Sequence, residues 1–412
     1  MSDVLQTLLD RGFIQQCTDP EGLSRLLAEE RVVFYCGFDA TATSLHCGSL
    51  MPIMAMAHLQ RAGHFPIALI GGGTTMVGDP SGKTEMRQML SPEEIERNGR
   101  GILSQLQRFL TLDGERGLFL NNAEWLLPLN YIQFLRDVGR HFRVNEMLKS
   151  EAYRLRLERE DGLSFIEFNY QILQAYDFMV LARDRDCRLQ IGGDDQWGNI
   201  VAGVDLTRRM LGRQVYGMTF PLLTTARGEK MGKTNRGAIW LDAGRTTPYE
   251  FYQYWINTDD RDVERFLAFF TFLPMEEVRR LGRLEGADIR IAKETLAYEV
   301  TKLTHGQEEA DRAREASRAA FGGGGEDLSA MPATTVPLNR LREGVSIIDL
   351  LCETGLAKSR SDARRLVLQG GAYVNDEPVP GLETTVGATD VRDGVVLLRA
   401  GKKKYHRLVV QE

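Results

Sequence analysis

The sequence predicts an α/β protein whose larger part is a doubly wound parallel sheet, and a few runs of residues carry that prediction. RVVFYCGFDA (31–40) is apolar, β-branched and aromatic, as a buried strand must be, and PIALIGGG (66–73) is a second such run. Between them, after the polar turn TATS, LHCGSLMPIMAMAHLQRAG repeats its apolar residues at helical spacing and closes on Gly63. Strand, helix, strand at this spacing is a βαβ unit, with parallel strands and a right-handed crossover. The alternation returns where CRLQIGG (187–193) runs through DDQWGN into the helical IVAGVDLTRRML, followed by MTFPLLTT (218–225) as a fourth strand.

The remaining elements fall around this frame. Asp3 to Glu30 reads as a helical cap, and ILSQLQRFL, YIQFLRDVGRHF and FNYQILQAYDFMVLA read as helices before the third strand. RGEKMGKTNRG is a polar loop after the fourth. From 247 to 320 the pattern is mostly helical around FLAFFTFL. FGGGGEDLSAMPATTVP, rich in Gly, Pro and Ala, reads as the core of a flexible linker over 321–344, and 345–412 as a small mixed α/β domain. The expected division is therefore 1–246, 247–320, 321–344 and 345–412.

Composition narrows the class. The chain has 412 residues, 43% hydrophobic and 26% charged, with a net charge of −6. RNA contacts, if any, must then come from local basic patches, not from the whole surface. Five separated cysteines without a Cys-X-X-Cys pair argue against a disulfide framework or a zinc site, so no metal is expected and the compartment should be reducing. The N-terminus lacks a basic region before an apolar run, and no long apolar stretch occurs, so a cytoplasmic protein without membrane contact is expected.

Two loops could handle phosphate. Leu45-His46-Cys47-Gly48-Ser49 sits between a strand and a helix, where unpaired N–H groups and a partial positive charge suit an anion. His46 could donate to a phosphate oxygen or simply cap the helix. Lys230-Met231-Gly232-Lys233-Thr234 offers two lysines around a glycine, either a cationic clamp that follows charge on a departing pyrophosphate or a solvated loop. On the 168–182 helix, Tyr170, Gln174 and Asp177 share one face. That face could bind a substrate with a hydroxyl and an ammonium, or could be a core face with satisfied polar groups.

The two loops in this order, with YCGFDATATSLHCG, GGGTTMVGDPSGK, FLRDVGRHF, FNYQILQAYDF, LQIGGDDQWGN, EKMGKT and PYEFYQYWINTDDRDV, closely resemble the bacterial tyrosyl-tRNA synthetases over nearly the whole chain. The resemblance implies a Rossmann-like catalytic domain, a helical tRNA-facing domain and a C-terminal RNA-binding domain of the S-four type. It implies that Tyr35, Asp79, Tyr170, Gln174 and Asp177 surround tyrosine, with Asp79 and Gln174 at its ammonium and Tyr35 and Asp177 at its phenolic hydroxyl. Gly37, Asp39, Gly48, Ser49, Gly193, Asp195 and Gln196 match the adenylate-binding surface. Thr41, His46, Lys83, Arg87, Lys230, Lys233 and Thr234 match groups that act on the polyphosphate in the transition state. The implied reaction joins tyrosine and Mg²⁺-ATP as tyrosyl-adenylate, then transfers tyrosine to tRNA(Tyr). The region around FLRDVGRHF resembles the family's interface, so a homodimer is implied.

Three positions depart from the family pattern: Ser49 replaces the second histidine of the first signature, Met-Gly-Lys-Thr follows Lys230, and Asp194 stands where serine is frequent. In the C-terminal domain Lys358, Arg360, Arg364 and Arg365 cluster near a short helix pair, and Lys402, Lys403, Lys404, His406 and Arg407 lie on the final strand. They form either a phosphate-binding face or a solvated charged one. A non-catalytic RNA-binding relative, and a relative acting on tryptophan, are the competing readings.

Overall fold

The computed structural model describes residues 4–81, 90–158, 162–226, 228, 231–234, 237–322, 331–392, 394–401 and 404–411. Contacts divide the chain into two units, 1–246 with 254–305 and 247–253 with 306–412.

The first unit is built on a six-stranded sheet. Its strands are β1 (Gln16–Cys17), β2 (Val33–Phe38), β3 (Phe65–Ile70), β4 (Leu118–Asn121), β5 (Cys187–Gly193) and β6 (Tyr216–Phe220), in the order β1-β6-β5-β2-β3-β4. All neighbours are parallel except β1, which pairs antiparallel with β6. The chain winds outward from β2 through β3 and β4 on one side. It resumes at β5 and β6 on the other, so the winding reverses between β2 and β5. In open parallel sheets the crevice at the carboxyl ends of the strands flanking such a reversal is where ligands bind. The doubly wound sheet expected from sequence is therefore present.

Several boundaries differ from the sequence reading, each for a local reason. β1 and β4 are short edge strands of two and four residues, too short to show a period, and the reading passed over both. β6 ends at Phe220, not at 225, because Pro221 has no N–H for the ladder. The glycines after β3 open the Gly72–Val77 helix and do not extend the strand. FLRDVGRHF is helical only to Asp137 and turns 3-10 at Gly139–His141.

The second unit holds a five-stranded sheet. Counting on from the Lys233–Thr234 (β7) and Gly237–Ala238 (β8) hairpin of the first unit, its strands are β9 (Ala333–Pro337), β11 (Ala372–Val374), β12 (Glu377–Pro378), β14 (Val395–Ala400) and β15 (Lys404–Gln411). A smaller pair, β10 (Val345–Ser346) and β13 (Thr385–Val386), lies in the same unit. β9 pairs in parallel with β15, and Val336 is buried in the core. This corrects the flexible-linker expectation: residues 333–342 form a strand and the Leu338–Arg342 helix. The glycine-rich residues 323–330 lie outside the described residues. The helical span 247–320 is also divided: 254–305 clusters with the first unit, 247–253 and 306–320 with the second.

Candidate active site

A cavity of about 660 Å³ opens at the carboxyl ends of β2 and β5 in the first unit. Its walls include all five residues singled out for tyrosine and all seven for the adenylate, together with Thr41 and His46. Lys83, Arg87 and Lys230 lie outside the described residues. Lys233 and Thr234 are described only through their backbone, which forms β7.

One end of the cavity is set by the Phe165–Arg185 helix. Ser164 and Glu167 close a capping box at its start, and a buried Arg156–Glu167 ion pair of 3.0 Å pins that box. Tyr170, Gln174 and Asp177 then follow on the cavity face. Asp177 is 2% exposed, and its carboxylate accepts from Trp125 Nε1 at 2.7 Å and Asn122 Nδ2 at 2.9 Å. Burial pushes its pKa up to about 7 against the pull of those two donors. Asn122 is itself held, accepting from the Gly73 N–H at 2.8 Å and lying 3.0 Å from Thr74 Oγ1. Beside Asp177, Tyr35 is buried edge-on against Phe178, and its hydroxyl has no hydrogen-bond partner among the described residues. Burial, then the charge of Asp177, drives the phenol's pKa upward. A carboxylate and an unsatisfied buried hydroxyl thus face one small apolar space, lined also by Leu69. A bound hydroxyl would satisfy both.

The middle of the cavity is a polar chain. Asp79, 7% exposed, accepts from the Ser81 N–H at 2.9 Å and from Gln196 Nε2 at 2.7 Å. Burial raises its pKa to about 6, helped by repulsion from Asp39 and opposed by those hydrogen bonds. Asn199 donates to Gln174 Oε1 and to Gln196 Oε1, each at 3.2 Å, and the Tyr170 hydroxyl donates to Asp39 at 3.3 Å. Two carboxylates and two amide oxygens gathered around a partly enclosed space favour a cation such as an ammonium.

At the other end lies the first signature. His46 does cap the turn that follows it: its Nδ1 accepts from the Gly48 N–H at 3.0 Å, which leaves the ring proton on Nε2. The cap reading and the phosphate reading are therefore compatible, since the cap fixes the donor nitrogen. Gly48 lets the His46 ring sit where it does, because a Cβ there would lie 2.7 Å from it and would push the capping ring aside. Gly37 is different: a Cβ would meet no protein atom within 4 Å, so nothing in the chain's own packing demands glycine, and its bareness leaves room over β2 for a ligand. Ser49 heads the Leu50–Arg61 helix without a side-chain capping bond. The segment that follows the second signature is knit to the first through backbone, and Ile239 N–H donates back to Gly232 O at 2.8 Å. Cys47 N–H donates to Ile239 O and Leu241 N–H to Leu45 O, both at 2.9 Å, and His46 bridges Trp240. Gly232, at φ 76°, comes so close that a Cβ would sit 3.2 Å from the Gly48 nitrogen.

In the second unit Arg360, Arg364 and Arg365 lie on the Arg360–Leu368 helix just after Lys358, all exposed. Arg360 pairs with Asp349, and Arg365 with Asp362 at 2.6 Å. Lys404 is exposed at the start of β15; Lys402 and Lys403 lie outside the described residues. His406 does not join the basic patch expected on the final strand. It is 9% exposed and bonded to Thr334 Oγ1 at 2.8 Å, and burial lowers its pKa. Asn122, Trp125 and Asn199 are the site residues that sequence reasoning missed. Their only signal was a polar NN-and-Trp cluster after an apolar LFL run, and an Asn closing LQIGGDDQWGN.

A nucleotide-sized cavity at the reversal of a parallel sheet, walled by His-Cys-Gly after the first long strand and abutted by a glycine-bearing loop after the last, defines a class I aminoacyl-tRNA synthetase. Residues 27–322 match the class I tRNA synthetases of the tryptophan and tyrosine group, and 327–408 match the tyrosine–tRNA ligase SYY-like C-terminal domain. The chain belongs to the tyrosine–tRNA ligase family. It is 54% identical to the tyrosine–tRNA ligase of Desulfosudis oleivorans over 99% of both chains. It is likewise 54% identical to that of Caldanaerobacter subterraneus subsp. tengcongensis over 99% of this chain and 100% of the relative. Among solved structures, a C-terminally truncated mitochondrial tyrosyl-tRNA synthetase from Aspergillus nidulans superposes with a TM-score of 0.70 at 32% identity, covering 78% of this chain and 95% of that one.

Proposed function

We propose that this cavity joins tyrosine to ATP as tyrosyl-adenylate and that the chain then transfers tyrosine to tRNA(Tyr). The observation that carries the reading is the unsatisfied Tyr35 hydroxyl beside the buried Asp177 carboxylate. Both would pair the phenolic hydroxyl of tyrosine, and phenylalanine would leave both unpaired, at a cost of several kcal/mol. Asp79, Gln174 and Tyr170 would hold the ammonium. Gly37, Asp39, Gly48, Ser49, Gly193, Asp195 and Gln196 would hold the nucleotide.

No enzyme nucleophile is needed. The tyrosine carboxylate attacks the α-phosphorus in line, and pyrophosphate leaves. Thr41 and His46, donating from Nε2, with Lys83, Arg87, Lys230, Lys233 and Thr234, would stabilise charge that grows on the departing phosphates. Among the described residues no group of three or more His, Cys, Asp or Glu side chains gathers as a metal cage. A magnesium ion would arrive on the ATP phosphates as part of the substrate. Transfer to the tRNA terminal adenosine follows at the same acyl carbon, with Lys358, Arg360, Arg364, Arg365 and Lys402 to Lys404 contacting RNA backbone.

We read the chain as a cytoplasmic homodimer. No helix among the described residues is long and apolar enough to cross a membrane. Nine of the fourteen large apolar side chains exposed among the described residues fall between Leu127 and Ile166, and the Tyr131–Asp137 helix buries none of its residues. Ile132 and Phe165 are each 71% exposed. Apolar side chains grouped in this way mark a protein interface. Ile132→Asp should shift the mass in light scattering from dimer toward monomer; an unchanged dimer would place the interface elsewhere.

Amino-acid-dependent ATP–pyrophosphate exchange tests the reaction. Strong exchange with tyrosine alone among the twenty amino acids is expected. No exchange with any of them, from folded protein, would leave a non-catalytic RNA-binding relative as the better reading.

A further inference from the structure

Asp194 has no part in the tyrosine pocket, yet three strands converge on it. It is the first residue after β5, and it opens the 3-10 turn Asp194–Gln196 that leads into the Trp197–Leu211 helix. Its Oδ1 accepts from Gln16 Nε2 at 2.8 Å and from Thr219 Oγ1 at 2.8 Å. Gln16 belongs to β1 and Thr219 to β6, and the two are direct partners in the antiparallel pair. Thr219 is fully buried and in turn faces Gly192 of β5. One carboxylate oxygen therefore fastens the edge strand, its neighbour and the loop after β5 at a single point. The next two residues are Asp195 and Gln196, which wall the cavity, and Gln196 extends the fastening to Asp79. The carboxylate also stands at a helix start, where a negative charge is favoured.

We propose that Asp194 is a positioning residue: by holding Gln16 and Thr219 it fixes where Asp195 and Gln196 stand, and so sets the nucleotide side of the cavity. The inference rests on the reading of the cavity as a tyrosine and ATP site. The phenol-reading end is built independently, from the Phe165–Arg185 helix, Tyr35 and Asn122, and at the ammonium end Asp79 keeps its Ser81 N–H hydrogen bond when Gln196 shifts. Loosening Asp194 should therefore act on ATP and spare tyrosine.

The test compares wild type with Asp194→Ala, Asp194→Asn and Thr219→Val in the full-length protein. In Asp194→Ala, KM for ATP in pyrophosphate exchange should rise about tenfold, the equivalent of about 1.4 kcal/mol, while KM for tyrosine stays within about twofold. Asp194→Asn keeps a carbonyl acceptor in place and should recover most of the loss. Thr219→Val, which removes one donor without changing shape, should fall between. Hydrogen–deuterium exchange of the amides at 193–198 should speed up in Asp194→Ala and return in Asp194→Asn. An equal rise in KM for both substrates, a fall in melting temperature with both KM values unmoved, or an asparagine variant as damaged as the alanine one would each overturn the assignment. If the wild type supported no exchange with tyrosine, the functional reading would fall, and the assignment would be decided by hydrogen exchange alone.

Discussion

Asp177 in the first unit and Arg365 in the second are both charged residues on helices, and their surroundings treat that charge in opposite ways. The Asp177 side chain is almost wholly enclosed, takes two hydrogen bonds from Asn122 and Trp125, and is pushed to a pKa of about 7. The Arg365 side chain is 69% exposed and pairs with Asp362 one helical turn away. Enclosure makes each partner of Asp177 costly to lose, because a buried polar group without a partner is penalised in full. Exposure makes the Arg365 pair cheap, worth on the order of 0–1 kcal/mol and weakened by salt. Selectivity for one small substrate belongs in the first setting. Attraction for a long polyanion, gathered from many weak contacts, belongs in the second.

The sharpest break of this comparison would be Asp177→Ala. It removes the carboxylate and strands the Asn122 and Trp125 donors, so tyrosine kcat/KM should fall about 10²- to 10³-fold. A loss below tenfold would mean that the enclosed carboxylate does not read the substrate. Next comes Tyr35→Phe. Tyrosine kcat/KM should drop about tenfold and discrimination against phenylalanine should shrink with it. The melting temperature of the unliganded protein should hold or rise, because an unsatisfied buried hydroxyl has been removed. A less stable Tyr35→Phe protein would show that the hydroxyl is already satisfied without substrate.

Acidity separates the two regions more finely. Asp177 rises from an ordinary 3.8 to about 7, and Asp79 from 3.8 to about 6. The folded state thus binds these protons more tightly than the unfolded chain. Their contribution to stability is complete below about 3.8 and is lost as pH rises through 6 and 7. Unliganded wild type should therefore lose melting temperature between pH 5 and 8 relative to Asp177→Asn, which cannot titrate there. Parallel curves would refute the enclosure argument. The smallest effect is expected at the exposed helix. Arg364→Ala should lower tRNA charging a few-fold at about 0.15 M salt, less at higher salt, with pyrophosphate exchange unchanged. Altered exchange would mean that the second unit influences the chemistry of the first.

Much of this contrast was legible before the structure. The βαβ run fixed a parallel sheet, and the three-and-four spacing of Tyr170, Gln174 and Asp177 put them on one face, because helix geometry is local. What escaped was non-local. Asn122 and Trp125 reach Asp177 from more than 50 residues away, and neither stands in a periodic pattern. Asp194 could be noticed as a departure, but Gln16 is far off in sequence, in a two-residue strand too short to announce itself. His406 was misplaced because a basic run on a strand suggests a patch, while pleating turns some of its residues inward.

The division of the chain into units also bears on how the protein is made. Tyr249 is buried with Ala316, Met331 and Tyr405, yet the chain returns to the first unit directly after 253. During synthesis the main sheet has all its strands once Phe220 has emerged, and it can close early. Tyr249 leaves the ribosome soon afterwards but meets Tyr405 only when the final strand is out. A prematurely terminated chain would thus carry a finished sheet in its first unit and, in its second, an aromatic ring still without its cover.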